Sequence, residues 1–80
     1  MPETGTIKVN VKLFAHFREN RFAQREMDLA PGTTVKDTAR LLGIEWTEVG
    51  VTMINSRHCP GDMRLHDGDT VAIFPMVGGG

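Results

Sequence analysis

The residues of this 80-residue chain whose types and spacing most directly suggest chemistry are its last three, Gly78, Gly79 and Gly80. They follow the apolar run Thr70-Val71-Ala72-Ile73-Phe74-Pro75-Met76-Val77. Glycine has no side chain to bury and loses the most backbone entropy when fixed, so such a tail adds nothing to a core. What it offers is slimness and an end group. Three residues without Cβ atoms pass through a gap too narrow for side chains and present a free α-carboxylate to the active site of another protein. The competing reading is a frayed terminus or a linker, because chain ends order poorly and glycine runs are common in linkers. The tail alone leaves both open.

Other side chains with chemical potential are weaker candidates. Cys59 has His58 beside it in sequence, but no second cysteine at redox spacing and no adjacent lysine to favour a thiolate, so a structural role is expected. His16, His58 and His66 are too widely spaced for a local metal motif, and no metal site is expected. Arg18, Arg21 and Arg25 could bind phosphate, yet Glu19 and Glu26 interleave with them and a solvated hairpin face is the better reading. Lys8 and Lys12 share one face of a strand, which is either solvated or turned toward a partner.

The elements that position the tail follow from patterning. Ile7, Val9, Val11 and Leu13 alternate with Lys8, Asn10 and Lys12, the period-two signature of a half-buried strand. After the polar turn Arg18-Glu19-Asn20-Arg21, Ala23, Met27 and Leu29 alternate with Gln24, Glu26 and Asp28, which predicts a second, antiparallel strand. Pro31-Gly32 breaks the chain. Thr34 and Asp37 have the spacing of a capping box, so a helix of about nine residues starts there, with Val35, Ala39 and Leu42 on its inner face and Gly43 as its C-terminal cap. Trp46 is expected to fold over the edge of the core. Val51–Ile54 reads as a third strand, Asn55-Ser56-Arg57 as its turn, and His58-Cys59 as a brief return. His66-Asp67-Gly68-Asp69 is a turn that launches the final strand. One helix against a mixed sheet gives an α+β roll, with the first and last strands as central parallel neighbours if the crossover is right-handed.

Size and composition exclude several classes. Eighty residues make one domain, read as 1–77 with a flexible tail at 78–80. A chain this short buries only about 60% of its unfolded surface. Apolar residues at 40% and charged residues at 24% are ordinary globular values. No apolar run approaches the roughly 18 residues of a spanning helix, and the polar N-terminus shows no signal peptide, so no membrane association is expected and cytoplasm is the default. A net charge of −1 provides no field for nucleic acid. Residues 45–80 hold two basic and five acidic groups, a −3 half that suits a basic partner surface.

The two ends of the chain resemble a known family. Ile7-Lys8-Val9 through Leu13-Phe14-Ala15-His16-Phe17-Arg18-Glu19 is similar to the opening of the MoaD/ThiS group of ubiquitin-like sulfur carriers. The segment Asp67-Gly68-Asp69-Thr70-Val71-Ala72-Ile73-Phe74-Pro75-Met76-Val77-Gly78-Gly79-Gly80 resembles the closing pattern of the molybdopterin synthase small subunit. Met76 stands where that pattern has a second proline, and Gly78 where it more often has a side chain. The resemblance implies a ubiquitin-like β-grasp fold and a carrier rather than an enzyme.

The resemblance further implies that Gly80 is adenylated and then converted to a thiocarboxylate. An α-carboxylate, with a pKa of about 3.3–3.7, is a poor electrophile at neutral pH, so activation must come from outside. The implied partners are a ubiquitin-activating-type adenylyltransferase, a sulfur donor protein and the molybdopterin synthase large subunit. No cofactor is expected on the chain itself; ATP and Mg²⁺ are used by the activating enzyme. Four extended residues span about 13–14 Å, enough to cross a partner's rim. Gly78 and Gly79 would insert while Phe74, Pro75, Met76 and Val77 anchor the body, although Phe74 could equally belong to the core on the helix side. Three alternatives stand beside sulfur delivery to molybdopterin: a thiamine-type carrier, a ubiquitin-like modifier joined to target lysines, and a binding module with an inert tail.

Overall fold

The computed structural model describes residues 5–76. Within them the alternating run becomes β1 (Ile7–Leu13), with Val9, Val11 and Leu13 fully buried and Lys8 exposed. A 3₁₀ turn, Ala15–Arg18, drops Phe17 into the core, and the chain returns as β2 (Gln24–Leu29). The two strands pair antiparallel from Ile7↔Leu29 to Lys12↔Gln24, so their apolar parities coincide on one face. Each fully buried Val or Leu contributes about 1.5–3 kcal/mol through its removal from water.

The helix α1 (Val35–Leu41) starts at a complete capping box. The Asp37 N–H donates to Thr34 Oγ1 at 3.1 Å, and the Thr34 N–H donates to Asp37 Oδ2 at 3.2 Å. The bond from the Thr34 backbone, with the one from its side chain, holds the Asp37 carboxyl below its usual range. Orphan donors of the first turn are also met from a distance: Val35 N–H reaches Met63 O at 3.1 Å and Lys36 N–H reaches Gly61 O at 2.9 Å. At the other end Gly43 adopts φ +76°, and the Gly43 N–H to Arg40 O and Ile44 N–H to Ala39 O bonds close a Schellman cap. Val35, Thr38 and Ala39 face the sheet; Thr38 is tolerated there because its hydroxyl donates to Thr34 O.

β3 (Val49–Ile54) and the two-residue β4 (Arg57–His58) form a hairpin whose central residues, Asn55 and Ser56, both have positive φ, as a tight hairpin of this twist requires. Asn55 also ties the end of β3 to the start of β5 (Thr70–Pro75): its side-chain oxygen accepts from Thr70 N–H at 3.0 Å. The turn before β5 is stitched to β1 by Asp67 Oδ1, which accepts from Lys8 N–H at 2.8 Å, and by the Gly68 N–H, which donates to Lys8 O at 2.8 Å.

The five strands lie in the order β2-β1-β5-β3-β4, with β1 and β5 as central parallel neighbours and α1 across one face. This is the β-grasp. Leu65 escapes the patterning, as Phe17 does: in the loop between β4 and β5, it is 2% exposed, and its N–H donates to Thr33 O. A single leucine between Arg64 and His66 has no period to betray it. Trp46, in a 3₁₀ turn before β3, is half-buried against the core edge and rests on Gly61, where a methyl group would collide with its ring.

Candidate functional site

Alternation on β5 sends Val71, Ile73 and Pro75 under α1 and leaves Ala72 and Phe74 on the opposite face. There Phe74 stacks on Phe14, with ring centroids 4.1 Å apart and an interplanar angle of 11°. Arg18 covers the other aromatic partner: its Nε–H donates to Leu13 O at 2.6 Å, and its guanidinium lies 5.3 Å from the Phe14 centroid. A half-buried aromatic pair on the uncovered face is thereby held in place by its own neighbours.

The strands alongside extend the surface. Val51 pairs with Phe74 and Met53 with Ala72, so β3 contributes two apolar side chains to the same face. On the other side the face turns charged. Lys12 pairs with Ala72 across β1 and β5, and Lys8 Nζ meets Asp28 Oδ1 of β2 at 2.8 Å. That hydrogen bond, with the attraction of the same carboxylate, raises the Lys8 pKa above its usual value. The uncovered face thus divides into a polar half on β2 and β1 and an apolar half on β5 and β3, with the apolar half nearest the end of β5.

The end of β5 is held tightly. Pro75 pairs with Val49, the Met76 N–H donates to Glu48 O at 2.8 Å, and the register slips by one residue between Val49 and Val51. Gly50 is the extra residue of this bulge. Met76 itself is 61% exposed and is the last described residue.

Of the residues expected to anchor a partner, Met76 is exposed and Phe74 is half-buried on the uncovered face against Phe14, so Phe74 is not a core residue on the helix side. Pro75 is corrected: it is buried with Val71 and Ile73 because the period of two carries it inward. Val77, Gly78, Gly79 and Gly80 lie outside the described residues. The three arginines do not converge. Arg21 donates to Leu42 O, Phe17 O and Gly43 O, closing the C-terminal end of α1, while Arg25 lies over Phe22 with 4.6 Å between its Cζ and the ring centroid. Cys59 is half-buried, with Sγ 3.9 Å from Thr52 Oγ1. Among the described residues no three of His, Cys, Asp and Glu gather in a way that could hold a metal ion, and no helix is long and apolar enough to cross a membrane.

Sequence reasoning assigned no role here to Phe14, Val51, Met53 or the backbone of Glu48 and Gly50. The first was legible in part, since Phe14 follows Leu13 and must point the other way. The rest depend on which strand lies beside β5, which no local pattern states.

The model of the ThiS family matches residues 11–80. No curated protein matches the chain. Among solved structures, the Haloferax volcanii HVO 2177 protein aligns with a TM-score of 0.79 and 29% identity, covering 100% of this chain and 92% of that one. A Pyrococcus furiosus protein named as a candidate molybdopterin converting factor subunit 1 aligns at 0.71 and 29% identity, covering 89% of this chain and 99% of that one. SAMP1 from Haloferax volcanii, a small archaeal modifier protein, aligns at 0.68 and 25% identity, covering 91% and 99%.

Proposed function

The chain belongs to the ThiS family, within the ThiS/MoaD group of ubiquitin-like sulfur carriers, and we propose that it carries sulfur as a thiocarboxylate on Gly80 for molybdopterin synthesis. The observation that carries this reading is the extent of the match, which runs through the tail to residue 80. The apolar face at the end of β5 supports it, because a carrier without catalytic side chains needs a surface that docks while the tail inserts.

The chemistry divides between carrier and partner. In the adenylyltransferase, an oxygen of the Gly80 carboxylate attacks the α-phosphorus of ATP and pyrophosphate leaves. Basic groups and Mg²⁺ of the enzyme neutralise the charge that develops on the phosphates. The terminal sulfur of a donor persulfide then attacks the acyl carbon and AMP departs. A second thiol cleaves the resulting S–S bond, reducing it and freeing the thiocarboxylate. That group would then be offered to a pterin precursor in the large subunit of molybdopterin synthase, a pathway favoured by the likeness to the Pyrococcus protein. The likeness to SAMP1 favours a second outcome, attack on the activated Gly80 by a lysine of a target protein.

Intact mass after incubation with the activating enzyme, ATP and a sulfur donor separates the readings. Exchange of one carboxylate oxygen for sulfur adds about 16 Da, a lysine adduct adds a whole protein, and an inert module shows neither, because the product records which nucleophile met the acyl group. Deleting Gly79 and Gly80 should abolish ATP–pyrophosphate exchange and leave the melting point within about 5 °C, the shift that roughly 1 kcal/mol produces in a domain of this size. A larger drop would make the tail part of the fold.

A further inference from the structure

Gly50 is a glycine for a reason that its backbone angles do not supply. Three other glycines, Gly32, Gly43 and Gly68, have positive φ, and Gly50 does not. What excludes a side chain is space. A Cβ on Gly50 would stand 2.8 Å from Met76 Cα, 2.9 Å from Pro75 O and 3.1 Å from Met76 N. All three are backbone atoms, and Cβ contacts under 3.0 Å are essentially never seen in real structures. Relief would require β3 and the end of β5 to part. The Met76 N–H to Glu48 O bond, at 2.8 Å, closes over the same spot from the residue before β3. The bulge places Gly50 there, since Val49 and Val51 oppose the consecutive residues Pro75 and Phe74.

We infer that Gly50 and the Glu48 carbonyl form a clasp on Met76 that fixes the root of the tail, making Gly50 a positioning residue for delivery of Gly80. The inference rests on the carrier reading above for its functional half and on the geometry alone for its structural half. A tail that must reach a reacting centre gains from a fixed point of departure, because every rotation left free at the root spreads the position of the acyl carbon several residues on. The Met76 amide matters here. A proline at that position has no N–H and could not close the bond, whereas methionine can. A bulge that re-aims the neighbouring strand is a recurrent device beside reacting groups.

Two measurements on the full chain test this. Amide hydrogen exchange of the isolated wild-type protein should show the Met76 N–H protected, and Gly50→Ala should remove that protection while the amides of Val11 and Ile73 stay protected. In ATP–pyrophosphate exchange with the activating enzyme, Gly50→Ala should lower kcat for the carrier by roughly tenfold to a hundredfold, the penalty of a misplaced reacting group. Its KM should rise less than its kcat falls, since the Phe14–Phe74 stack of the docking face lies outside the clash at Met76. Thr34→Ala is the control: it removes the cap of α1 on the covered side of the sheet, so it lowers stability without touching the contacts of Met76 and should leave kcat unchanged.

The clasp is overturned if the wild-type Met76 amide exchanges as fast as an unstructured peptide, a result that stands even should Gly50→Ala fail to fold. It is equally overturned if Gly50→Ala loses that protection yet keeps the wild-type kcat, or if Thr34→Ala lowers kcat as much. A wild-type chain that supports no exchange at all sinks the carrier reading and the positioning role together, while Met76 protection still decides whether Gly50 holds the strand end.

Discussion

On β5, Ile73 and Phe74 are neighbours in sequence and opposites in environment. Ile73 is fully buried between the sheet and α1, whereas Phe74 stands on the uncovered face against Phe14. The same division holds at the end of β1, where Leu13 is fully buried and Phe14, the next residue, begins the aromatic stack. One face is bound by packing density, because any change in volume or charge there is met by close neighbours. The other is held together by a few contacts between side chains that remain open to a partner. A small domain with one helix can cover only one face of its sheet, and the face left over is the one available for recognition.

Charge substitution breaks this comparison most forcefully. Ile73→Asp places an unpaired carboxylate where no water reaches, at a cost of several kcal/mol in a protein whose whole stability is about 0.05–0.15 kcal/mol per residue. Circular dichroism should show an unfolded chain, and a folded one would mean that the helix face is not the core. Phe74→Asp should instead remain folded, losing the stacking contribution of about 0.5–1.5 kcal/mol together with the burial of half a ring. Its affinity for the activating enzyme should fall by at least about 2 kcal/mol if Phe74 anchors the interface. Unchanged affinity in a folded Phe74→Asp protein would remove that residue from the docking face.

Smaller effects sharpen the contrast from the helix side. Thr34→Ala removes the hydroxyl that accepts from Asp37 N–H and should lower stability by about 1 kcal/mol. In thermal melting this appears as a drop of about 4–8 °C, with affinity for the partner unaffected because α1 lies on the far side.

The pH dependence is smaller still and has opposite signs on the two faces. Asp37, with its carboxyl depressed by the Thr34 bonds, contributes stability that is complete above the ordinary carboxylate range and fades as the pH falls through its lower folded value. Lys8, raised by Asp28, contributes stability that is complete below the ordinary lysine value and fades as the pH rises through its higher folded value. Asp37→Asn should flatten the acid limb of the melting profile, and Asp28→Asn the alkaline limb. If the acid limb responds to Asp28→Asn instead, the assignment of these groups is wrong.

Local periodicity and capping chemistry were enough to predict much of this molecule. β1, β2, the Thr34–Asp37 box, the Gly43 cap, the hairpin at Asn55 and the launch of β5 after Asp67-Gly68 each depend on residues within a few positions of one another, so their physics is written in short windows. The alternation of Val71 and Ile73 already implied that Phe74 faces away from them and Pro75 toward them, although the apolar character of all four masks that parity. The start of β3 was hidden because Gly50 reads as a connection; only its contact with Met76 shows it to be a bulge. Leu65 was hidden for the related reason that a lone apolar residue in a polar loop has no period. What the tertiary structure alone decided is the company each strand keeps: that β3 lies against β5, that Val51 and Met53 therefore join Phe74 and Ala72 on one apolar surface, and that the Glu48 carbonyl meets Met76. Those pairings join residues about 17 to 28 positions apart, and they arise from the closure of the sheet, which minimises exposed apolar area over the whole chain rather than within any segment of it.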